Sequence, residues 1–171
     1  MRLQARDYKI LEFVNTHKGI TVEQSAMLFF GSKISAYRRL RMLKDNKHLS
    51  ADFNPFLNCL VYYNKKMPSF HTLVITQFYV LNADKISNYK REAQVADKRI
   101  DALFKTIDDK LIALEVVIHT SIKQDKIDFI KRYFKEQHNK DIRVFVVSLF
   151  SNTQKLQCEF VKYDNKEDMR I

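Results

Sequence analysis

Between Lys33 and Lys47 the chain carries six lysines and arginines and a single acid, Asp45. Cations at that density suit phosphate, and arginine can also take a guanine edge with two parallel hydrogen bonds. Ala36, Leu40 and Leu43 recur at i, i+4 and i+7, the narrow apolar stripe of a helix laid on a core. At 3.6 residues per turn, Arg38 and Arg41 point away from that stripe, with Tyr37 and Lys44 on its flank. Lys33 and Ser35 fall in the first turn, where a recognition helix meets base edges or phosphates. A merely solvated face would mix signs to gain i,i+4 pairs; this one does not. The stretch predicts a DNA-facing helix with Lys33, Ser35, Tyr37, Arg38, Arg39, Arg41 and Lys44 as its contact set.

Other chemistries are harder to place. The 171 residues include only two glycines, Gly19 and Gly31, so no glycine-rich loop can cradle a nucleotide phosphate. Cys59 and Cys158 are far apart and lack zinc-site spacing, which predicts two reduced, partly buried thiols and no metal. No run approaches the ~18 apolar residues of a membrane span, and no apolar signal core follows the N-terminus, so a cytoplasmic protein with no membrane partner is expected. The formal charge of +10 is concentrated at one end. Residues 1–66 hold twelve lysines and arginines against five acids, a net of +7; residues 67–171 hold eighteen against fifteen, a net of +3. A domain with that excess attracts a polyanion, within about 10 Å of its surface at 0.1 M salt.

The elements that would position the basic helix can be read around it. Residues 7–17 predict a first helix with Asp7 as cap and Ile10, Leu11, Phe13 and Val14 as its apolar side, closed by Gly19 in a left-handed conformation. Thr21 and Gln24 have capping-box spacing and open a second helix that stops at Gly31. Ser32 then caps the basic helix, 33 to about 47, across a helix-turn-helix junction. Alternation through Leu49, Ala51, Phe53, Leu60 and Tyr62, broken at 54–58, predicts a β-hairpin, or wing, whose Lys65 and Lys66 end would touch phosphate. Residues 1–66 therefore read as a winged helix-turn-helix domain. Residues 67–171 read as an α/β domain, giving an α+β or α/β chain overall: helix 69–83, strands near 88–95, 99–107 and 110–118, helix 121–138, then strands 142–149 and 156–163. The apolar helix 69–83 offers a route to a homodimer.

Arg6 to Phe13, Thr21 to Gln24, Phe29 to Ser32, Ala36 to Leu43, Ile100 to Phe104 and Leu114 to Val116 together resemble the replication-relaxation family of plasmid and mobile-element proteins. That resemblance implies a DNA-binding accessory or regulatory role in replication, relaxation or transfer. Double-stranded DNA would be the partner, with replication or relaxase proteins beside it. Transcriptional repression uses the same binding physics and stays open. The C-terminal half also resembles the restriction-endonuclease-like core, in which an Asp and a Glu-x-Lys hold Mg²⁺ and activate water. On that resemblance Asp101 and Glu115 would be the carboxylates, Glu92 a third, and Val117 stands where the lysine belongs. Lys123 or Lys126 on the next helix would have to reach in. The expectation is a degenerate core with no catalytic residues and no cofactor, in which Asp101 and Glu115 satisfy strand ends or pair with Lys98 and Arg99. A Mg²⁺-dependent nuclease is the alternative.

Overall fold

The computed structural model describes residues 2–118, 122–149 and 156–171. These build a mixed α+β chain of helices and two sheets, divided into two compact units, Met1–Val80 and Leu81–Ile171. Among the described residues no helix is long and apolar enough to cross a membrane.

In the first unit, helix α1 spans Ala5–His17. Asp7 is not its cap. Gln4 holds that position, and its backbone N–H donates to Asp7 Oδ2 at 2.6 Å, so Asp7 sits in the first turn where its charge favours the helix N-terminus. The left-handed residue ending α1 is Lys18 (φ 72°), not Gly19. Gly19 instead opens a short strand missed by periodicity, β1 (Gly19–Thr21). A Cβ there would stand 2.9 Å from Pro68 Cγ and 3.1 Å from Val61 Cγ1, so close packing demands the glycine.

Thr21 caps α2 (Val22–Ser25) with the expected reciprocal bonds to Gln24, and the helix widens to a π-turn over Ala26–Phe30. Gly31 ends it at φ +69°, as its sequence position predicts. Helix α3 follows at Lys33–Asp45, burying Ala36, Leu40 and Leu43 against Ile10, Val14, Ile20 and Tyr62. Strands β2 (Ser50–Asn54) and β3 (Cys59–Tyr63) form the hairpin, and β1 joins β3 to give the sheet order β1-β3-β2.

Helix α4 (Phe70–Leu81) belongs, all but its last residue, to this unit and not to the C-terminal one. Gln77 Oε1 accepts from Gln24 Nε2 at 2.8 Å, and Thr76 Oγ1 lies 3.0 Å from the His17 carbonyl oxygen. Tyr79 packs on the His17 ring with centroids 4.2 Å apart. The boundary thus falls after α4, where the 66/67 break would cut these contacts. Helix α4 is apolar and buried along nearly its whole length.

The second unit is a five-stranded sheet in the order β4-β5-β6-β7-β8: β4 (Ile86–Val95), β5 (Lys98–Thr106), β6 (Leu111–Val117), β7 (Ile142–Ser148) and β8 (Glu159–Lys162). Pairing is antiparallel from β4 to β6 and parallel from β6 to β8. A parallel β6–β7 neighbour needs a crossover, and α5 (Gln124–His138) supplies it. Its Ile127, Ile130 and Phe134 cover Ala93, Val95, Ile100, Ala113, Val144 and Val146. Each such burial contributes about 1.5–3 kcal/mol before entropy is charged against it. Ser121, where the periodicity starts this helix, lies outside the described residues.

Candidate nucleic-acid interface

Helix α3 starts cleanly because Ser32 is extended and its hydroxyl accepts from the Ser35 N–H. Its buried stripe turns the remaining faces outward, where Ile34, Tyr37, Arg38, Arg41, Met42 and Lys44 are exposed. Ile34, Tyr37, Arg38 and Arg41 wall an open groove that begins at Val22 and ends near Asp45. Arg38 and Arg41, three residues apart, share one side of the helix.

The basic residues have different fates. Arg39 leaves the contact set: its Nε donates to Asp7 Oδ1 at 2.6 Å and its Nη2 to Asp7 Oδ2. The arginine side chain is only 15% exposed and the aspartate fully buried, so this pair ties α3 to α1. The guanidinium holds the Asp7 carboxyl below its ordinary value, against the opposing effect of burial. Lys33 pairs with Glu23 at 2.8 Å, and Arg41 lies 3.7 Å from Asp45, both at the surface. Arg38 and Lys44 are exposed and make no ion pair among the described residues.

Lys65 and Lys66 are exposed but follow the end of β3, whose last residue, Tyr63, pairs with Ser50. They therefore sit at the base of the hairpin, not at its tip. The tip is the turn from Asn54 to Cys59, where Asn54 Oδ1 accepts the Leu57 N–H at 3.0 Å. It carries no cation. Phe53 and Leu60, part of the alternation that predicts the hairpin, face each other across the strands and are 57% and 40% exposed. Phe56 in the turn is 62% exposed.

In the second unit the β5–β6 ladder ends at Ala102–Leu114, so Asp101 and Glu115 are the next residues along. Asp101 Oδ2 accepts the Val116 N–H at 2.7 Å, a carboxylate taking over where the ladder stops. Glu115 is buried, and Lys126 on α5 reaches it at 2.8 Å. A lysine from another element thus stands beside the carboxylate, in the place Val117 cannot fill. Lys123 is exposed at the start of α5. Glu92 is exposed on β4 and pairs with Arg99 at 3.4 Å, while Lys98 lies over the Phe129 ring. Lys98 and Arg99 are therefore engaged elsewhere than expected. Among the described residues no three His, Cys, Asp or Glu side chains gather as a metal site would require. Within the predicted set, Glu115 is held by Lys126 and Asp101 by a backbone N–H. Cys59 and Cys158 form no disulfide among the described residues and are half-buried, and burial pushes the Cys158 thiol up.

No protein-family model matches the chain, and no curated protein does. Among solved structures it is similar to a repair endonuclease from Pyrococcus abyssi, at 12% identity and a TM-score of 0.40, over 55% of this chain and 44% of that one. It is also similar to EndoMS in a structure of its dsDNA complex, at 11% identity and a TM-score of 0.36, over 56% of this chain and 45% of that one. The chain spans less than half the length of either.

Proposed function

We propose that residues 1–80 are a winged-helix module that binds duplex DNA through α3. Its setting would be an accessory or regulatory protein of plasmid or mobile-element replication, relaxation or transfer. The observation that carries this reading is the pair Arg38 and Arg41, exposed on one side of a capped helix. Their neighbour Arg39, by contrast, is withdrawn into an ion pair. A helix-turn-helix order followed by a hairpin supports it, as does the unit's charge: residues 67–80 add none, so the net remains +7.

In this reading α3 enters a major groove with its first turn leading. Arg38 and Arg41 take base edges or phosphates, Lys33 and Ser35 hold the backbone at the N-terminal turn, and Lys44 meets phosphate further along. Each lost bidentate contact to guanine costs about 1–3 kcal/mol. With roughly six phosphates neutralised, log affinity falls against log salt with a slope of about −5. Selection of bound duplexes from a random pool supplies the site. The Arg38→Ala/Arg41→Ala protein should then bind it at least about 30-fold more weakly; wild-type affinity in that double variant overturns the reading.

One observation favours a second reading for residues 81–171, a nuclease: Lys126 lies beside Glu115 at the edge of the sheet. Because no three acidic side chains gather there among the described residues, we propose a core without catalysis. Cleavage of the selected duplex with Mg²⁺ or Mn²⁺, abolished by Glu115→Ala, would replace that proposal with the nuclease.

A further inference from the structure

The hairpin of residues 50–63 contains no lysine or arginine, and its one acid, Asp52, accepts from the Tyr63 hydroxyl. It is thus a projection with a formal charge of −1 on a +7 unit, and a poor match for phosphate. What it offers instead is Phe53, Leu60 and Phe56, all exposed. The register fixes where they lie. Ala51 pairs with Tyr62 and Phe53 with Leu60, so both pairs share one face of the hairpin. Tyr62 is buried with α3, its hydroxyl within electrostatic reach of Tyr37, Arg41 and Asp45. Phe53 and Leu60 continue that face roughly 7 Å nearer the tip, where it leaves the core.

The tip is also stiff. Asn54 braces the turn through the Leu57 N–H, Pro55 fixes its own φ, and the Phe56 ring rests on Phe70 of α4 with centroids 5.2 Å apart. Apolar side chains held out beside exposed arginines match one partner surface well: stacked bases behind a phosphate backbone. A second copy of the chain matches less well, since tip-to-tip contact would bring two basic α3 faces together.

We propose that this hairpin is an apolar wedge. It enters a base step of the duplex held by α3, unstacking it and kinking the DNA, with Phe53, Phe56 and Leu60 as the inserted surface. The inference rests on the DNA-binding reading above.

The test is topological, because a wedge unwinds DNA whatever the sequence. A nicked plasmid is closed by ligase with the full chain bound, the protein is removed and the topoisomers are resolved. A mobility shift on a short mixed-sequence duplex at low salt reports binding separately. Wild-type protein should shift the topoisomer distribution. Phe53→Ser/Leu60→Ser should abolish that shift while weakening duplex binding only about tenfold. Phe56→Leu, still apolar, should keep the shift, and Phe56→Ser should reduce it, which preserves the test if the double variant does not fold. Duplex bound by wild-type protein with unchanged topology overturns the wedge and leaves the DNA-binding reading intact. Failure of wild-type protein to bind duplex at all overturns both. A wild-type dimer made monomeric by Phe53→Ser/Leu60→Ser, with topology untouched, would make the hairpin a contact between copies and overturn the wedge.

Discussion

In the first unit, Arg38 and Lys44 stand exposed with no acid partner among the described residues, whereas in the second, Lys105 and Lys140 converge on one carboxylate, Asp109. The second unit has further pairs. Lys110 pairs with Asp108, Lys135 with Asp141, and Arg143 grips Glu159 through two bonds of 2.7 Å. Each unit also has one ion pair with a buried carboxylate, Asp7–Arg39 in the first and Glu115–Lys126 in the second. Surface pairs of this kind add little stability, at most about 1 kcal/mol each, but they cancel the field a polyanion would feel. The first unit keeps its field, and the second neutralises most of its own. On the proposed reading, location of charge, more than its amount, separates the DNA-binding surface from one that is only solvated.

The largest effect should come from stranding a buried charge. Arg39→Met leaves Asp7 inside the first unit without its cation and should cost about 3 kcal/mol at neutral pH, read by denaturant unfolding. The pH dependence has a definite sign. The folded Asp7 carboxyl is held below its ordinary value, first by the Arg39 hydrogen bonds, so its contribution is complete above about pH 4. It is lost as pH falls through the lowered folded value. The gap between wild type and Arg39→Met should therefore close in acid; a gap constant down to strongly acidic pH would show that the pair does not stabilise the fold.

Lys126→Met strands Glu115 in the second unit and should cost somewhat less, about 2 kcal/mol, because the lysine is more exposed than Arg39. Its DNA affinity should stay at the wild-type level. A matching loss of binding would mean that the second unit also touches DNA, and the comparison would fail. Arg38→Ala should leave stability alone, weaken binding of the selected duplex by about 1–2 kcal/mol and make the salt slope shallower by about one. Lys135→Ala, a paired cation of the second unit, should change neither binding nor slope. The smallest effect belongs to Asp109→Asn. Lys105 and Lys140 hold that carboxyl down at about 2, yet the cluster is exposed, so any change in melting temperature should vanish in high salt. A salt-resistant loss would show the cluster to be structural.

Charge placement and periodicity carried much of this from the sequence. The concentration of positive charge before residue 67, the Ala36–Leu40–Leu43 stripe, the Thr21–Gln24 cap and the Gly31 turn are local features. Local sterics and hydrogen bonds determine them, so they survive without any knowledge of the rest of the chain. The strands and helices of residues 86–162 were legible for the same reason, to within a few residues at their ends.

Tertiary structure decided the rest. Helical phase puts Arg39 beside the buried stripe and Arg38 opposite it, but only the approach of Asp7 from α1, distant in sequence, gives Arg39 its partner. Helix α4 carries no charge and is apolar nearly all round, so its residues say that it is buried but not among which elements. Lys126 meets Glu115 only because α5 crosses the sheet between β6 and β7. Phe53 and Leu60 share a face with the buried Tyr62 and are nevertheless exposed, which alternation alone does not reveal. Pattern specifies which face of an element is apolar; the length and placement of its neighbours specify how much of that face is covered.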